Sequence, residues 1–91
     1  MTKSKLIESI ADRNKIPKET VETVINNFID EIKISLIQGD KVQLSGFGTF
    51  NLRDRAARNG RHPRTGEEIQ VSAYKLPYFT AGKSFKAAVK S

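Results

Sequence analysis

Residues 46–66, GFGTFNLRDRAARNGRHPRTG, decide the fold of this chain. Their first seven residues are apolar or small, and the next twelve, Arg53 to Arg64, carry five of the six arginines against one acid, Asp54. The stretch therefore begins as a strand of a packed core and continues as a basic arm. A two-stranded ribbon is stable in water only when an apolar face or a partner supports it. We therefore expect this arm to find its partner outside the protein, and the natural candidate is a polyanion.

The length and composition predict one small globular domain over residues 1–91. A chain of this size buries only roughly 60 to 65% of its unfolded surface, so association with a second chain would help its stability. The hydrophobic content is 37% and the charged content 29%, which excludes a disordered tail. The absence of a 20-residue apolar run excludes a membrane span. No membrane partner is expected either, because no amphipathic basic helix with exposed large apolar residues supports one.

The start of the chain and its cysteine count predict a cytoplasmic protein. Met1 is followed by polar and basic residues, and no apolar stretch typical of a secretory signal follows. The chain has no cysteine, which fits a reducing compartment and excludes disulfides and thiolate chemistry. With a single histidine it also offers little to a metal ion, so we expect neither a metal nor a cofactor.

The basic charge is concentrated in the second half of the chain. The net charge is +6 and the isoelectric point is near 9.8. Residues 1–40 carry six basic and seven acidic side chains, whereas residues 41–91 carry ten basic and three acidic ones. A basic region of this kind indicates a nucleic-acid partner more strongly than net charge alone.

Two helices are predicted in the first forty residues. The first spans residues 3–13 after Thr2 as its cap, and the second runs from about Lys18 to Gln38 and stops at Gly39. One side of the second helix is an apolar stripe that needs more than one neighbour, formed by Val21, Val24, Ile25, Phe28, Ile29, Ile32 and Leu36. A second copy of the chain would cover it. The alternative is the core helix of a monomer.

A hairpin is predicted after the helices. Lys41 to Leu44 alternates polar and apolar residues as a strand does, Ser45 and Gly46 make a turn, and Phe47 starts the next strand. The phenylalanines of this region are interpreted as core residues. Stacking on single-stranded bases would require aromatic rings among the arginines, and residues 53–64 contain none.

The end of the chain predicts one more strand and a closing helix. Glu68 to Leu76 alternates again and can pair antiparallel with Asn51 to Asn59. Thr80 is predicted to cap a helix over Ala81 to Lys90. The start of that helix suits either a phosphate contact or a plain cap, and the sequence favours neither.

The arginine cluster favours nucleic-acid binding over an ordinary solvated surface. A solvated surface would mix lysine with glutamate, whereas this segment is almost purely arginine. The planar guanidinium group suits phosphates and fits narrow minor grooves. Catalysis is not expected, because Glu67 and Glu68 are adjacent and point to opposite sides of a strand, and His62 has no partner residues.

The motif Gly46-Phe47-Gly48-Thr49-Phe50 and the residues that follow it resemble the bacterial HU and integration host factor family of histone-like proteins. The resemblance covers essentially all 91 residues. It continues through Leu76-Pro77-Tyr78-Phe79 and through Gly82-Lys83, and within the arm it rests on Arg55, Arg58, Gly60, Arg61, Pro63, Thr65 and Gly66. His62 departs from the pattern, because the family usually has asparagine there.

The resemblance implies an α+β fold built as an intertwined dimer. Residues 1–40 would form the helical dimerisation part, residues 41–80 a sheet saddle above the helices, and residues 81–91 a short C-terminal helix. Two arms, each of about residues 53–75, would enter the DNA minor groove. Pro63 would insert between base pairs at the arm tip, a device known from architectural proteins that include this family.

The resemblance and the basic residues together predict two sets of functional residues. The DNA-binding set is Lys3, Gly46, Arg53, Arg55, Arg58, Arg61, His62, Pro63, Arg64, Thr65, Lys75, Lys83 and Lys86. The dimer-core set is Phe28, Ile32, Leu36, Leu44, Phe47, Phe50 and Phe79.

The function expected from these residues is compaction of the nucleoid by a protein that bends duplex DNA with little sequence preference. Bent, nicked or junction DNA should be preferred. A homodimer is expected, and a site-specific subunit of a heterodimer is the main alternative. Two other classes are a self-assembling protein with an anionic membrane or acidic protein partner, and a nuclease that uses Asp54, Glu67 and Glu68.

Overall fold

The computed structural model describes all residues, Met1 to Ser91. It has two compact units, Met1–Ser35 and Leu36–Ser91. In chain order the elements are α1 (Lys3–Asn14), α2 (Lys18–Ile37), β1 (Val42–Leu44), β2 (Gly48–Arg55), β3 (Arg58–Arg61), β4 (Glu68–Val71), β5 (Tyr74–Ala81) and α3 (Lys83–Lys90).

Helix α1 begins and ends with local hydrogen bonds that its sequence predicts. The Thr2 hydroxyl accepts the backbone N–H of Lys5 at 3.3 Å, which satisfies one of the free donors of the first turn. At the other end Lys15 adopts a left-handed conformation with φ 54° and donates its N–H to the Ala11 carbonyl. The helix therefore extends one residue beyond the predicted end.

The first unit is held together by a small apolar core. Ile7 and Ala11 of α1 pack with Val21 of α2, and the partly buried Ile25 packs against them. Lys18 and Glu8 form an ion pair at 3.3 Å between exposed side chains, which contributes little to stability. The spacing of apolar residues in the two helices thus determines this unit.

Helix α2 ends close to the predicted position and exposes part of its apolar stripe. Gly39 has a φ of 91° and donates its N–H to the Leu36 carbonyl at 3.0 Å, so the helix stops at Ile37, one residue before Gln38. Within the stripe, 61% of Val24 and 49% of Phe28 are accessible. A surface this apolar is typical of a face that another molecule covers.

The second unit contains a three-stranded antiparallel sheet and a separate two-stranded ribbon. The sheet has the order β1-β2-β5, and the ribbon pairs β3 with β4. The predicted turn between β1 and β2 is present, but Phe47 lies in it rather than in the strand. Its N–H donates to the Leu44 carbonyl at 3.0 Å, and Gly46 before it has a φ of 81° that favours glycine.

The predicted pairing of Glu68–Leu76 with Asn51–Asn59 is partly wrong. The two segments are antiparallel, but residues 56–57 and 72–73 lie outside the strands, and the second strand resumes at Tyr74 and continues to Ala81. Asn51 therefore faces Tyr78, outside the predicted strand. Pro77 did not end the strand, because β5 is at the edge of the sheet, where a proline removes no necessary hydrogen bond.

The predicted start of the last helix is also wrong. Thr80 does not cap α3, because it belongs to β5 and lies opposite Thr49 of β2. The helix begins at Lys83, and Gly82 occupies the cap position without any side-chain cap. The Gly82 N–H donates to the Phe47 carbonyl at 2.7 Å, which attaches the start of the helix to the turn between β1 and β2.

A cluster of aromatic rings forms the apolar side of the second unit. The ring centre of Phe79 lies 4.9 Å from that of Phe47 and 4.8 Å from that of Phe50, and Phe85 stacks 5.1 Å from Phe47. Such contacts add to the stabilisation from apolar burial. Phe47 and Phe79 nevertheless remain 43% and 37% exposed, so a single chain covers this cluster only in part.

Candidate nucleic-acid interface

The body sheet has an apolar face and a polar face. Cross-strand partners share a face and successive residues alternate, so Phe50 and Leu52 lie on one side with Phe79. Arg53 and Arg55 lie on the other side. We call this second side the polar face, formed by Thr49, Asn51, Arg53 and Arg55 of β2 and Tyr74, Leu76, Tyr78 and Thr80 of β5.

Arg53 is held against an aromatic ring on the polar face. Its guanidinium carbon lies 4.4 Å from the centre of the Tyr78 ring, one position diagonal to its direct partner Leu76. A cation over the face of a ring is attracted by the electron density of the ring. Tyr78 therefore orients the first arginine of the cluster.

Lys75 lies on a different side from Arg53 and Arg55. It is the direct partner of Asp54, and both belong to the face that carries Phe50 and Phe79 nearer the body. Opposite charges at directly paired positions attract one another. Of the predicted DNA-binding residues on the body sheet, Lys75 is thus the one that lies off the polar face.

The ribbon also divides its arginines between two sides. Arg58 pairs with Val71 and shares a face with Gly60 and Ile69, whereas Arg61 pairs with Glu68 on the opposite face. Both arginines are exposed. The basic residues therefore surround the ribbon instead of forming one stripe, and a molecule that contacts all of them must lie along both sides.

The end of the ribbon is a closed loop of six residues, His62–Glu67, which we call the tip loop. The His62 N–H donates to the Glu67 carbonyl at 2.7 Å, and the Gly66 N–H donates to the His62 carbonyl at 2.9 Å. Gly66 has a φ of 73°, a conformation that favours glycine. Pro63 follows His62 and is exposed, and because it has no N–H it leaves no donor unpaired there.

The His62 side chain has a structural role in the tip loop that sequence reasoning missed. Its Nδ1 accepts two backbone N–H groups, from Arg64 at 3.2 Å and from Thr65 at 3.4 Å. Asparagine and aspartate often accept their own backbone in this way at turns. The position of His62 just before the turn was the available signal, because a neutral imidazole also carries one acceptor nitrogen.

Two further side chains stabilise the tip loop. The Arg61 Nη1 donates to the Gly66 carbonyl at 3.3 Å, and the Thr65 Oγ1 accepts the Glu67 N–H at 3.3 Å. Arg64 is exposed. Arg61 and Thr65, both predicted to contact DNA, are therefore engaged in the loop itself, and their side chains help to hold the exposed proline.

A shallow recess at the start of α3 brings two other predicted residues together. Gly46 and Lys83 both line this recess of about 220 Å³, with Gly48, Gly82 and Ser84. Lys86 lies three residues further along α3, on a neighbouring part of the same helix surface. Lys3 is the first residue of α1 and belongs to the first unit.

The acidic residues near the arm are dispersed. Asp54 lies opposite Lys75 on the body sheet and Glu68 opposite Arg61 on the ribbon. No three histidine or carboxylate side chains form a group that could hold a metal ion. None of the helices combines the length and the apolar content needed to cross a membrane.

Comparison with known proteins gives matches over nearly the whole chain. The family model described as bacterial DNA-binding protein matches residues 1–90. DNA-binding protein HU-1 of Halalkalibacterium halodurans is 52% identical over 90 residues, which cover 99% of this chain and 100% of that protein. DNA-binding protein HU of Geobacillus stearothermophilus is 46% identical over the same shares of the two chains.

Solved structures match the fold as well. A cocrystal structure of Anabaena HU with DNA has a TM-score of 0.92 and 37% sequence identity, and covers 98% of this chain and 97% of that one. HU from Thermotoga maritima has a TM-score of 0.69 and 26% identity, with 98% of each chain covered. The predicted resemblance and the α+β fold are thereby confirmed.

Proposed function

Since this chain belongs to the bacterial DNA-binding protein family, we propose that it is a histone-like architectural protein that binds and bends duplex DNA. The observation that carries this proposal is the arginine-bearing ribbon that ends in a closed loop with an exposed proline. A relative of known structure, Anabaena HU, was crystallised with DNA and superposes on 98% of this chain.

Binding would be driven mainly by the release of counterions from the phosphates. The ribbon places Arg58 and Arg61 on opposite faces, so a ribbon lying in a groove would direct one arginine to each side. The minor groove is lined by phosphates at both edges, and where it is narrow it attracts arginine. This arrangement supports minor-groove binding by the arm.

Bending would come from the tip loop. Pro63 presents a rigid ring without a hydrogen-bond donor, on a loop closed by backbone hydrogen bonds at its base. An apolar wedge of this kind unstacks base pairs and kinks the duplex in architectural proteins, this family among them. We propose that Pro63 is this wedge and that Lys3, Gly46, Lys83 and Lys86 contact DNA beside the body.

The active form would be a homodimer. Phe28 in the first unit and Phe47 and Phe79 in the second are all more than one-third exposed in a single chain. Covering large apolar side chains of this kind stabilises an association strongly. With Ile32, Leu36, Leu44 and Phe50 they would form the dimer core, and residues 1–91 would act as one DNA-binding domain within it.

Sequence preference should be weak, because an arm in the minor groove meets a degenerate pattern of hydrogen-bond donors and acceptors. The test is equilibrium binding to two unrelated duplexes of equal length. We expect dissociation constants within about tenfold of each other, or about 1.4 kcal/mol, and tighter binding to nicked or junction DNA. A strong preference for one sequence would contradict the proposal.

A strong preference for one DNA sequence would instead favour a site-specific subunit of a heterodimer. Footprinting in the presence of random competitor DNA separates the two functions, because an architectural protein without specificity leaves no defined footprint. Adding a related chain should then leave the pattern unchanged. A footprint that appears only with the related chain would establish the alternative.

We further propose that the protein has no enzymatic activity and acts in the cytoplasm on the nucleoid. The dispersion of Asp54 and Glu68 on different parts of the arm supports this, because metal-dependent hydrolysis needs several carboxylates at one site. Incubation of DNA with the protein and magnesium should leave the DNA uncut. Cleavage that is lost in an Asp54→Asn variant would refute it.

A further inference from the structure

Cross-strand pairing places tyrosine rings among the arginines of the polar face. Tyr74 of β5 is the direct partner of Arg55 of β2, and the centre of the Tyr78 ring lies 4.4 Å from the guanidinium carbon of Arg53. Residues 53–64 themselves contain no aromatic residue, so the second strand supplies the rings. Aromatic rings beside basic residues are the pattern that binds unpaired bases, because every base has a flat face that can stack.

The two tyrosines of the polar face differ in what they contact. Tyr78 is half-buried, and Arg53 occupies the face of its ring. Tyr74 is 46% exposed, and neither a cation nor another aromatic ring lies over it. The Tyr74 ring is therefore the one that is free to stack on a ligand.

Tyr74 borders a recess at the junction of the body sheet and the ribbon. Residues 56–57 and 72–73 lie outside the strands at this junction, and three of these four residues are alanines, whose small side chains leave space. The recess has a volume of about 300 Å³, at the lower end of the range for small-ligand sites. It is lined by Arg55, Ala56, Arg58, Tyr74 and Leu76.

The lining of this recess matches the parts of a nucleotide. The Tyr74 ring offers a flat surface for a base, and Leu76, which is 37% exposed, offers an apolar surface beside it. Arg55 and Arg58 are exposed, and their guanidinium groups suit the phosphates on either side of the base. No acidic residue lines the recess, so no like charge opposes a phosphate there.

We propose that this recess binds an unpaired base of gapped DNA and that Tyr74 is the residue on which the base stacks. The proposal rests on the proposed function, because the arm brings DNA to the recess, but it adds a contact with a different requirement. Bases within an intact duplex are stacked on one another and present no free face. The recess therefore acts only where the DNA has lost its pairing.

The recess is separate from the tip loop and from the proposed dimer core. It lies where the ribbon joins the body sheet, whereas Pro63 lies at the far end of the ribbon. Phe50 and Phe79 lie on the opposite face of the body sheet. A dimer that buries this apolar face leaves the polar face with Tyr74 open to DNA.

The first experiment compares binding to two gapped duplexes of equal length at the same salt concentration. The strand opposite the gap carries two unpaired thymidines in one duplex and two abasic nucleotides in the other, so the number of phosphates is the same. We expect the wild type to bind the first about tenfold more tightly, or about 1.4 kcal/mol, which is within the range of base–aromatic stacking. The abasic gap is the more flexible, so easier bending alone would favour it instead.

The variant that tests the ring is Tyr74→Leu, which keeps an apolar side chain but removes the stacking surface. It should bind the two gapped duplexes equally and the intact duplex as the wild type does, whereas Tyr74→Phe should keep the preference. The matched control is Tyr78→Leu, because that ring orients Arg53 and does not line the recess. Tyr78→Leu should weaken binding to both gapped duplexes alike. Thermal unfolding midpoints close to that of the wild type check that the variants are folded.

The second experiment uses tyrosine fluorescence, because the chain has two tyrosines and no tryptophan. In Tyr78→Phe the only tyrosine is Tyr74, so the emission reports on its ring. A base that stacks on the ring quenches this emission. At saturating DNA we expect stronger quenching by the gap with thymidines than by the abasic gap.

Three outcomes would overturn the proposal. They are equal affinity of the wild type for the two gapped duplexes, a preference that persists in Tyr74→Leu, and equal quenching of the Tyr74 emission by both gaps. Absence of binding to the intact duplex would refute the proposed function instead. The comparison of the two gapped duplexes would still decide the role of Tyr74.

Discussion

Pro63 and Arg61 are close in sequence at the end of the ribbon, but their substitution should affect DNA bending and DNA affinity differently. Pro63→Ala would delete the proposed wedge and leave the positive charge, so we expect bending to fall more than affinity. Arg61→Ala would delete the proposed phosphate contact and should weaken binding to most sequences alike. Energy transfer across a labelled duplex and a binding titration measure the two effects.

The structure adds a second consequence for Arg61, because its side chain also donates to the Gly66 carbonyl. Arg64→Ala is therefore the better control for charge alone, since Arg64 is exposed and contributes only its backbone N–H to the loop. Equal losses of bending in Pro63→Ala and Arg64→Ala would argue against the wedge.

Tyr78 should contribute to DNA affinity through its contact with Arg53. Loss of the ring in Tyr78→Leu removes an attraction of about 0.5–1 kcal/mol at an exposed site, so the orientation of Arg53 should loosen. We expect DNA affinity to fall by roughly twofold to fivefold, while Tyr78→Phe keeps most of the affinity. Tyr74→Leu, on the same face but opposite Arg55, is the matched control. An equal loss in Tyr78→Leu and Tyr74→Leu would contradict the assigned role of the ring.

The sequence identified the basic residues but not how their side chains are used. The residue types alone indicated that Arg58 and Arg61 bind a polyanion, whereas their placement on opposite faces depends on strand register. Register is set by cross-strand pairing, which one segment cannot reveal. His62 illustrates the same limit, because its hydrogen bonds exist only once the tip loop closes.

Among the elements, the contact between β2 and β5 depends on the absence of a side chain at Gly48. A Cβ built there would overlap the Thr80 carbonyl and the Phe79 ring. Gly48→Ala should therefore force the strands apart or the ring out of the cluster, at a cost of about 1–3 kcal/mol. Thermal unfolding should show a lower midpoint than in the wild type.

Gly60→Ala provides the control on the ribbon. A Cβ there would meet only the side chains of Val71 at 3.6 Å and Ile69 at 3.8 Å, which is ordinary contact. The midpoint should stay close to that of the wild type. If Gly48→Ala were as stable as Gly60→Ala, the close packing of Phe79 beneath β2 would be wrong.

Helices were easier to predict than strands in this chain. The Thr2 cap and the glycine at position 39 are local signals, so the ends of α1 and α2 were predicted within one residue. Alternation suggested the strand after Glu68, but its break at residues 72–73 and its continuation through Pro77 reflect pairing with β2. The local sequence around Thr80 resembles a helix cap, but pairing with Thr49 of β2 places Thr80 in β5.

For the whole molecule, the concentration of basic residues in the second half of the chain predicts that DNA affinity falls steeply as the salt concentration rises. If a dimer neutralises roughly eight phosphates, the logarithm of the binding constant should fall with the logarithm of salt concentration with a slope of about −7. Titrations from low to physiological salt measure it. A slope near zero would contradict the electrostatic mechanism, even if the protein bound DNA tightly.

The concentration of positive charge in residues 41–91 could be predicted from the sequence, because it follows from counting charged residues along the chain. The need for a second chain was indicated less directly, by an apolar stripe on α2 too broad for one neighbour. Exposed Phe28, Phe47 and Phe79 now support the same inference from two separate units.

The most direct test of the account is the end-to-end distance of a labelled duplex, intact or with one nick, at saturating protein and moderate salt. Bending of both duplexes should increase energy transfer, with tighter binding to the nicked one, because a flexible joint lowers the cost of the kink. Saturable binding with no change in the end-to-end distance of either duplex would contradict the account.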